Sequence, residues 1–163
     1  MAIAPLTSAA PVYLALAGLA DCLCGLLIAE HRPVCWCGPE VGEAVSFDGC
    51  FGDCGDVCGK AWVRIQSAAP YSSFPVSEFT AGCRKPVMYA LELGVMRCFP
   101  VEAQANDTET VLTALNAQFA DERTMYRVMQ CCDGNWEIAP NVYTPRGPEG
   151  GCLGGIWTGA IAF

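Results

Sequence analysis

The sequence predicts an α+β domain: a mainly antiparallel sheet of about four to five strands, with an N-terminal helix and one or two central helices packed on one face. Three observations predict it. Residues 86–100 alternate with a period of two, with Val87, Tyr89, Leu91, Leu93 and Val95 on one side. Met88, Ala90, Glu92, Gly94 and Met96 take the other side, so the strand has one fully apolar face and one mixed face. Apolar residues recur at helical spacing in 6–30 and again in 106–132. Shorter β-type runs fill the remainder between glycine and proline breaks. Helices should therefore cover the richer face of the central strand, and Pro86 and Pro100 should bound it, because proline cannot donate to a ladder.

The first element in order is the helix 6–30. Thr7 or Ser8 is the candidate N-cap and Pro11 sits in the first turn, while Leu16, Leu19, Leu23, Leu26 and Leu27 keep helical spacing. Cys22 and Cys24 read there as small buried apolar residues. The apolar run 9–29 is long enough to span a bilayer. Asp21 lies inside it, Pro11 near its start, and no basic residue precedes it, so a buried amphipathic helix with no membrane contact is expected. The first basic residue is Arg32, which leaves the positively charged region of a secretory signal absent.

Residues 32–47 read as a strand-like segment broken at Gly38-Pro39. A Cys/Gly-rich loop follows at 48–59, too rich in glycine and aspartate for regular structure. The next strand is 60–66, with Ala61, Val63 and Ile65 facing in and Trp62, Arg64 and Gln66 facing out. Residues 67–84 form a long connecting loop punctuated by Pro70, Pro75 and Gly82, of a length that is usually functional or partner-bound.

After the central strand, Asn106 with Glu109 makes a capping box that opens the helical segment 106–132. Leu112, Leu115, Phe119, Tyr126 and Met129 supply its apolar spacing, and Asp121-Glu122 is a candidate division into two helices. The Asn106-Asp-Thr triplet also fits a glycosylation acceptor, and the cap reading is preferred. Residues 133–163 form a turn-rich C-terminal hairpin. Its strands are 136–139 and 156–163, and Trp157, Ile161 and Phe163 share one face of the latter.

Composition bounds the function. At 163 residues the chain reads as a single domain, 1–163, and 53% hydrophobic against 16% charged residues excludes a disordered chain. The net charge is −8, and no block of Lys or Arg exists that would grip a phosphate backbone. The only histidine, His31, stands at the end of the first helix, where a cation interacts favourably with the helix dipole. Nucleophile-elbow, zinc-protease, P-loop and dinucleotide motifs are missing, so no enzymatic activity is expected and no catalytic residue is assigned.

Twelve cysteines are a heavy load. Cys35 and Cys37 precede Cys50, Cys54 and Cys58, while Cys83 and Cys98 flank the central strand. The five-residue cluster Cys35, Cys37, Cys50, Cys54 and Cys58 is an imperfect match to paired zinc knuckles, and zinc is the one cofactor it suggests. A disulfide staple of the glycine loop, formed in an oxidising environment, is the rival reading, and reduced buried thiols are the third.

Three stretches carry a family resemblance: Cys-Gly-Lys-Ala-Trp-Val-Arg-Ile at 58–65, Tyr-Ala-Leu-Glu-Leu-Gly-Val-Met-Arg-Cys-Phe-Pro at 89–100, and Gly-Pro-Glu-Gly-Gly-Cys-Leu-Gly-Gly-Ile-Trp-Thr at 147–158. They resemble the head-to-tail connector proteins of long-tailed phages infecting actinobacteria, over about residues 33–163. The order of elements is similar to that of tail terminators. The resemblance implies a ring, usually hexameric, on the head-proximal end of the tail tube in the virion neck, assembled in the host cytoplasm. The implied partners are further copies of the chain, the tail tube protein and a stopper or adaptor protein, with DNA passing through without specific binding. A stopper or adaptor is the runner-up role, and a small cysteine-based metal-binding module is the rival from another class. The cysteine loop departs from the terminator pattern. Exposed strand edges and the long loop would suit a subunit that completes itself against ring neighbours.

Overall fold

The computed structural model describes residues 11–42, 45, 57–77, 85–99, 107–149 and 151–163. Its elements run α1 (Pro11–Ala29), β1 (Trp36–Pro39), β2 (Lys60–Ser73), β3 (Val76–Ser77), β4 (Val87–Cys98), α2 (Thr108–Cys131), β5 (Glu137–Glu149) and β6 (Cys152–Ala162). The strand order is β1-β2-β4-β6-β5, with β3 paired to β2, so the sheet has six strands. Only β1 runs parallel to its neighbour; every other pairing is antiparallel. The α+β class with both helices on one face is what the sequence predicts.

The central strand sits in the middle of the order as expected. Its face bearing Leu91, Leu93 and Val95 joins Ala61 and Val63 of β2, Ile161 of β6, Leu19, Leu23 and Leu27 of α1, and Met125, Val128 and Met129 of α2 in one core. Fully burying a large apolar side chain stabilises by roughly 1.5–3 kcal/mol, so this layer dominates the fold's stability.

Several expectations need correction. The long loop is shorter than predicted, because β2 continues to Ser73 and turns back through β3. A register shift between Ile65 and Ser67 lets the strand bend and carry Pro70 opposite Val87. Among the described residues of the strand-like segment 32–47 the strand is the four-residue β1, and Gly38-Pro39 lie inside it rather than breaking it; an edge strand tolerates proline. For the same reason the tail is less broken than its prolines suggest: Pro140 and Pro145 lie within the edge strand β5, paired with Gly159 and Gly155.

Helix α2 is unbroken at Asp121-Glu122, and its N-cap is Asp107, whose carboxylate accepts from the Glu109 amide. The proposed caps Asn106, Thr7 and Ser8 lie outside the described residues, as do Gly82 and most of the 48–59 loop.

The orientation of α2 is the largest difference. Leu112, Phe119 and Tyr126, expected in the core, are exposed, while Gln118, Asp121 and Thr124 are buried. The second face of the sheet also departs from expectation. Trp62 and Arg64 were predicted to face outward, and both are buried; Trp62 packs with Val45, Met96 and Cys152 in a second, smaller cluster.

Candidate functional site

Two buried carboxylates organise the polar interior. Glu92 of β4, 2% exposed, accepts from the Trp62 indole N–H at 2.8 Å, from Arg64 Nε at 2.7 Å and Arg64 Nη2 at 3.0 Å, and from the Gln66 amide at 2.5 Å. Cross-strand register places these groups together, since Arg64 stands directly opposite Glu92. Asp121 of α2, 1% exposed, accepts from Arg97 Nε at 2.6 Å and Nη2 at 2.9 Å and from Arg32. Arg97 also donates to the backbone oxygens of Arg32 and Pro33 at 2.8 and 3.1 Å. Arg32 further reaches Glu30 and Thr124, and Glu30 accepts from Arg127 at 2.6 Å. This second network ties the end of α1, the end of β4 and the middle of α2 into one joint.

These networks explain how α2 turns polar residues inward. Gln118 donates to the Gly154 carbonyl, Asp121 faces two guanidinium groups, and Thr124 bonds Glu30, so each of these three side chains has a partner. A carboxylate held bidentately by arginine is a structural element and a poor proton shuttle. A groove of ≈550 Å³ opens beside the joint, walled by Arg97, Phe99, Asp107, Thr110, Gln118 and Leu153. Arg97, its cation, is already committed to Asp121.

Three members of the predicted cysteine cluster lie among the described residues, and all three are disulfide-bonded. Cys37 pairs with Cys24 (Cα–Cα 5.8 Å), Cys58 pairs with Cys98 (5.8 Å), and Cys35 is disulfide-bonded as well. Sulfurs in disulfides are not thiolates, and thiolates are what zinc binds. Cys50, Cys54 and Cys83 lie outside the described residues, and among the described residues no group of three or more Cys, His, Asp or Glu could hold a metal.

Cys22 and Cys24, read as plain apolar residues, are cross-links: Cys22 joins Cys132 (Cα–Cα 6.3 Å) and Cys24 joins Cys37. Two residues apart on a helix, they project about 200° from one another. One therefore reaches the end of α2 and the other reaches β1. The signal was present in the sequence as an i, i+2 pair on a helix, but the partner of Cys22 lies 110 residues away. Cys131 is the free, exposed cysteine among the described residues.

His31 adopts a left-handed conformation (φ 56°) immediately after α1. Its amide donates to Ile28 O at 3.0 Å and the Arg32 amide donates to Leu27 O at 2.8 Å, a Schellman closure of the helix. The backbone of His31 thus ends the helix, a role separate from the charge–dipole one expected of its side chain.

No family model matches the chain, and no curated protein matches it.

Proposed function

We propose that the protein is a structural subunit of the head–tail neck of a long-tailed phage, most simply the tail terminator. In this reading it closes into a ring of six on the tail tube, joins the tube to the head connector, and works by shape and contact with no chemical step. One observation carries the reading. The stretches resembling phage connector proteins, 58–65, 89–100 and 147–158, fall on β2, β4 and the β5–β6 turn with β6, so the resemblance follows one continuous run of adjacent strands. The charge suits a conduit: six copies carry 6 × (−8) = −48 formal charges, and like charge keeps DNA from sticking. The saturated carboxylates give the interior a bracing role in this scheme.

Deletion of the gene followed by electron microscopy of the lysate tests the proposal. Loss of a terminator leaves filled heads separate from tails of abnormal length. Normal-length tails beside leaking heads would instead assign the stopper or adaptor role. Intact virions would overturn the neck reading altogether.

A further inference from the structure

The four cysteines that bond α1 are placed differently from the other cross-linked ones. Cys22 and Cys24 project from nearly opposite sides of the helix. Their bonds run to Cys132, just after α2, and to Cys37 in β1. Two separate elements therefore grip α1 from two sides. All four residues are partly exposed, which opens them to a dissolved thiol or disulfide. Cys152, by contrast, is disulfide-bonded and 0% exposed.

What each bond holds also differs. Cys58–Cys98 joins the β2 and β4 ends of the chain, whose antiparallel ladder already runs from Lys60↔Met96 to Pro70↔Val87. Opening that bond leaves the ladder in place. A helix uses its backbone hydrogen bonds on itself, so no ladder ties α1 to the sheet. Within 11–29 the attachment is the buried stripe of Ala15, Leu19, Ala20, Leu23 and Leu27 together with the two disulfides. The Arg32 joint holds the segment just beyond the helix. A disulfide stabilises chiefly by restricting the opened chain, and more so for a longer loop; Cys22 and Cys132 lie 110 residues apart.

We propose that Cys22–Cys132 and Cys24–Cys37 form a two-sided redox clamp on α1, closed by oxidation of the folded chain and opened by a thiol reductant. Closing runs by exchange with a small-molecule or protein disulfide. One protein thiolate attacks that disulfide and forms a mixed disulfide, releasing the first carrier thiol. The second protein thiolate then displaces the other carrier sulfur, and the protein S–S bond forms. Each closed bond thus sends two electrons to the carrier, and the two protein thiol protons end on the two carrier thiols. The clamp stands apart from the neck reading. Under that reading, copies made in a reducing cytoplasm carry it open until they meet such an oxidant.

The test uses the purified full chain carrying Cys131→Ser, which keeps the exposed free thiol out of the exchange. The chain is equilibrated in glutathione buffers from oxidised to reduced, alkylated, and read by peptide mass spectrometry and amide hydrogen exchange. Reduced glutathione should open both α1 bonds while Cys152 stays blocked to alkylation. Amides of 12–29 should then exchange roughly tenfold faster or more, with β4 and β6 unchanged, and oxidised glutathione should restore the slow rate. Cys22→Ser, Cys24→Ser, Cys37→Ser and Cys132→Ser combined should give the fast rate with no reductant and no response to glutathione. If that variant misfolds by circular dichroism, the glutathione series on the Cys131→Ser chain decides alone. Unchanged α1 exchange after both bonds open would overturn the clamp. So would loss of protection in α1 only together with β4 and β6, bonds that resist until Cys152 opens, or thiols that stay unpaired under oxidised glutathione.

Discussion

Glu92 and Arg64 stand directly opposite on β4 and β2 and close a two-pronged ion pair, Nε to Oε1 at 2.7 Å and Nη2 to Oε2 at 3.0 Å. Both are buried, on the sheet face that carries neither helix. Removing one partner of a buried pair leaves an uncompensated charge and costs about 3–5 kcal/mol. Glu92→Leu should therefore lower the urea midpoint severely, and adding Arg64→Met should recover part of the loss. A single substitution costing under about 1 kcal/mol would show that water reaches the pair.

Gly94 lies opposite Trp62, and an added Cβ would come within 2.1 Å of the indole Cζ2. The ring itself occupies the space that a side chain at 94 would need. Gly94→Ala should displace Trp62 from its hydrogen bond to Glu92 and cost about 1–3 kcal/mol, the usual range for overpacking. Equilibrium unfolding gives the loss, and a red-shifted tryptophan emission gives the displacement. An unchanged midpoint would mean that the strands part without penalty.

His31 holds a left-handed backbone, which costs a non-glycine residue about 1–2 kcal/mol. Glycine removes that strain but adds freedom to the unfolded chain. His31→Gly should raise stability by a net amount of about 0.5–1 kcal/mol, measured as a higher thermal midpoint. A lower midpoint would assign the imidazole a stabilising contact of its own.

Two groups set opposite pH limbs. Burial pushes Glu30 upward, but hydrogen bonds from Thr124 and Arg32 and the charges of Arg32 and Arg127 outweigh it and hold the carboxyl below its ordinary 4.5. Its contribution is present above that value and is lost as pH falls through the lower, folded one. Tyr143 is pushed up to about 12 by burial and then by the charges of Glu122 and Asp121; nearby Gln118 offsets part of this without bonding the hydroxyl, which has no hydrogen-bond partner among the described residues. The unfolded phenol ionises first, so stability falls between pH 10 and 12. Glu30→Gln should flatten the acid limb of a urea-midpoint profile and Tyr143→Phe the alkaline limb. Parallel profiles for parent and variants would contradict both assignments.

The legible parts of the fold were those whose pattern owes nothing to distant residues. The alternation of 87–95 announces a central strand, because both of its faces pack inside the protein. The 3.6-residue spacing announces both helices. Their orientation was hidden, since Leu112, Phe119 and Tyr126 look like a core face until Arg32 and Arg97 arrive to satisfy Asp121. Strand β5 was hidden by Pro140 and Pro145, which are permitted because, among the described residues, no strand pairs beyond it. The Cys22–Cys132 disulfide was hidden by distance along the chain, a span of 110 residues.

The two margins of the sheet carry a consequence for life at high concentration. One margin is the four-residue β1, and the other is β5, with Pro140, Pro145 and Pro148 in its length. A growing fibril needs an unbroken row of amide donors to template the next chain, and the β5 margin, interrupted by its prolines, lacks one. Copies at high concentration can then meet without adding strands along β5. The prolines that obscured β5 in the sequence also blunt its free margin.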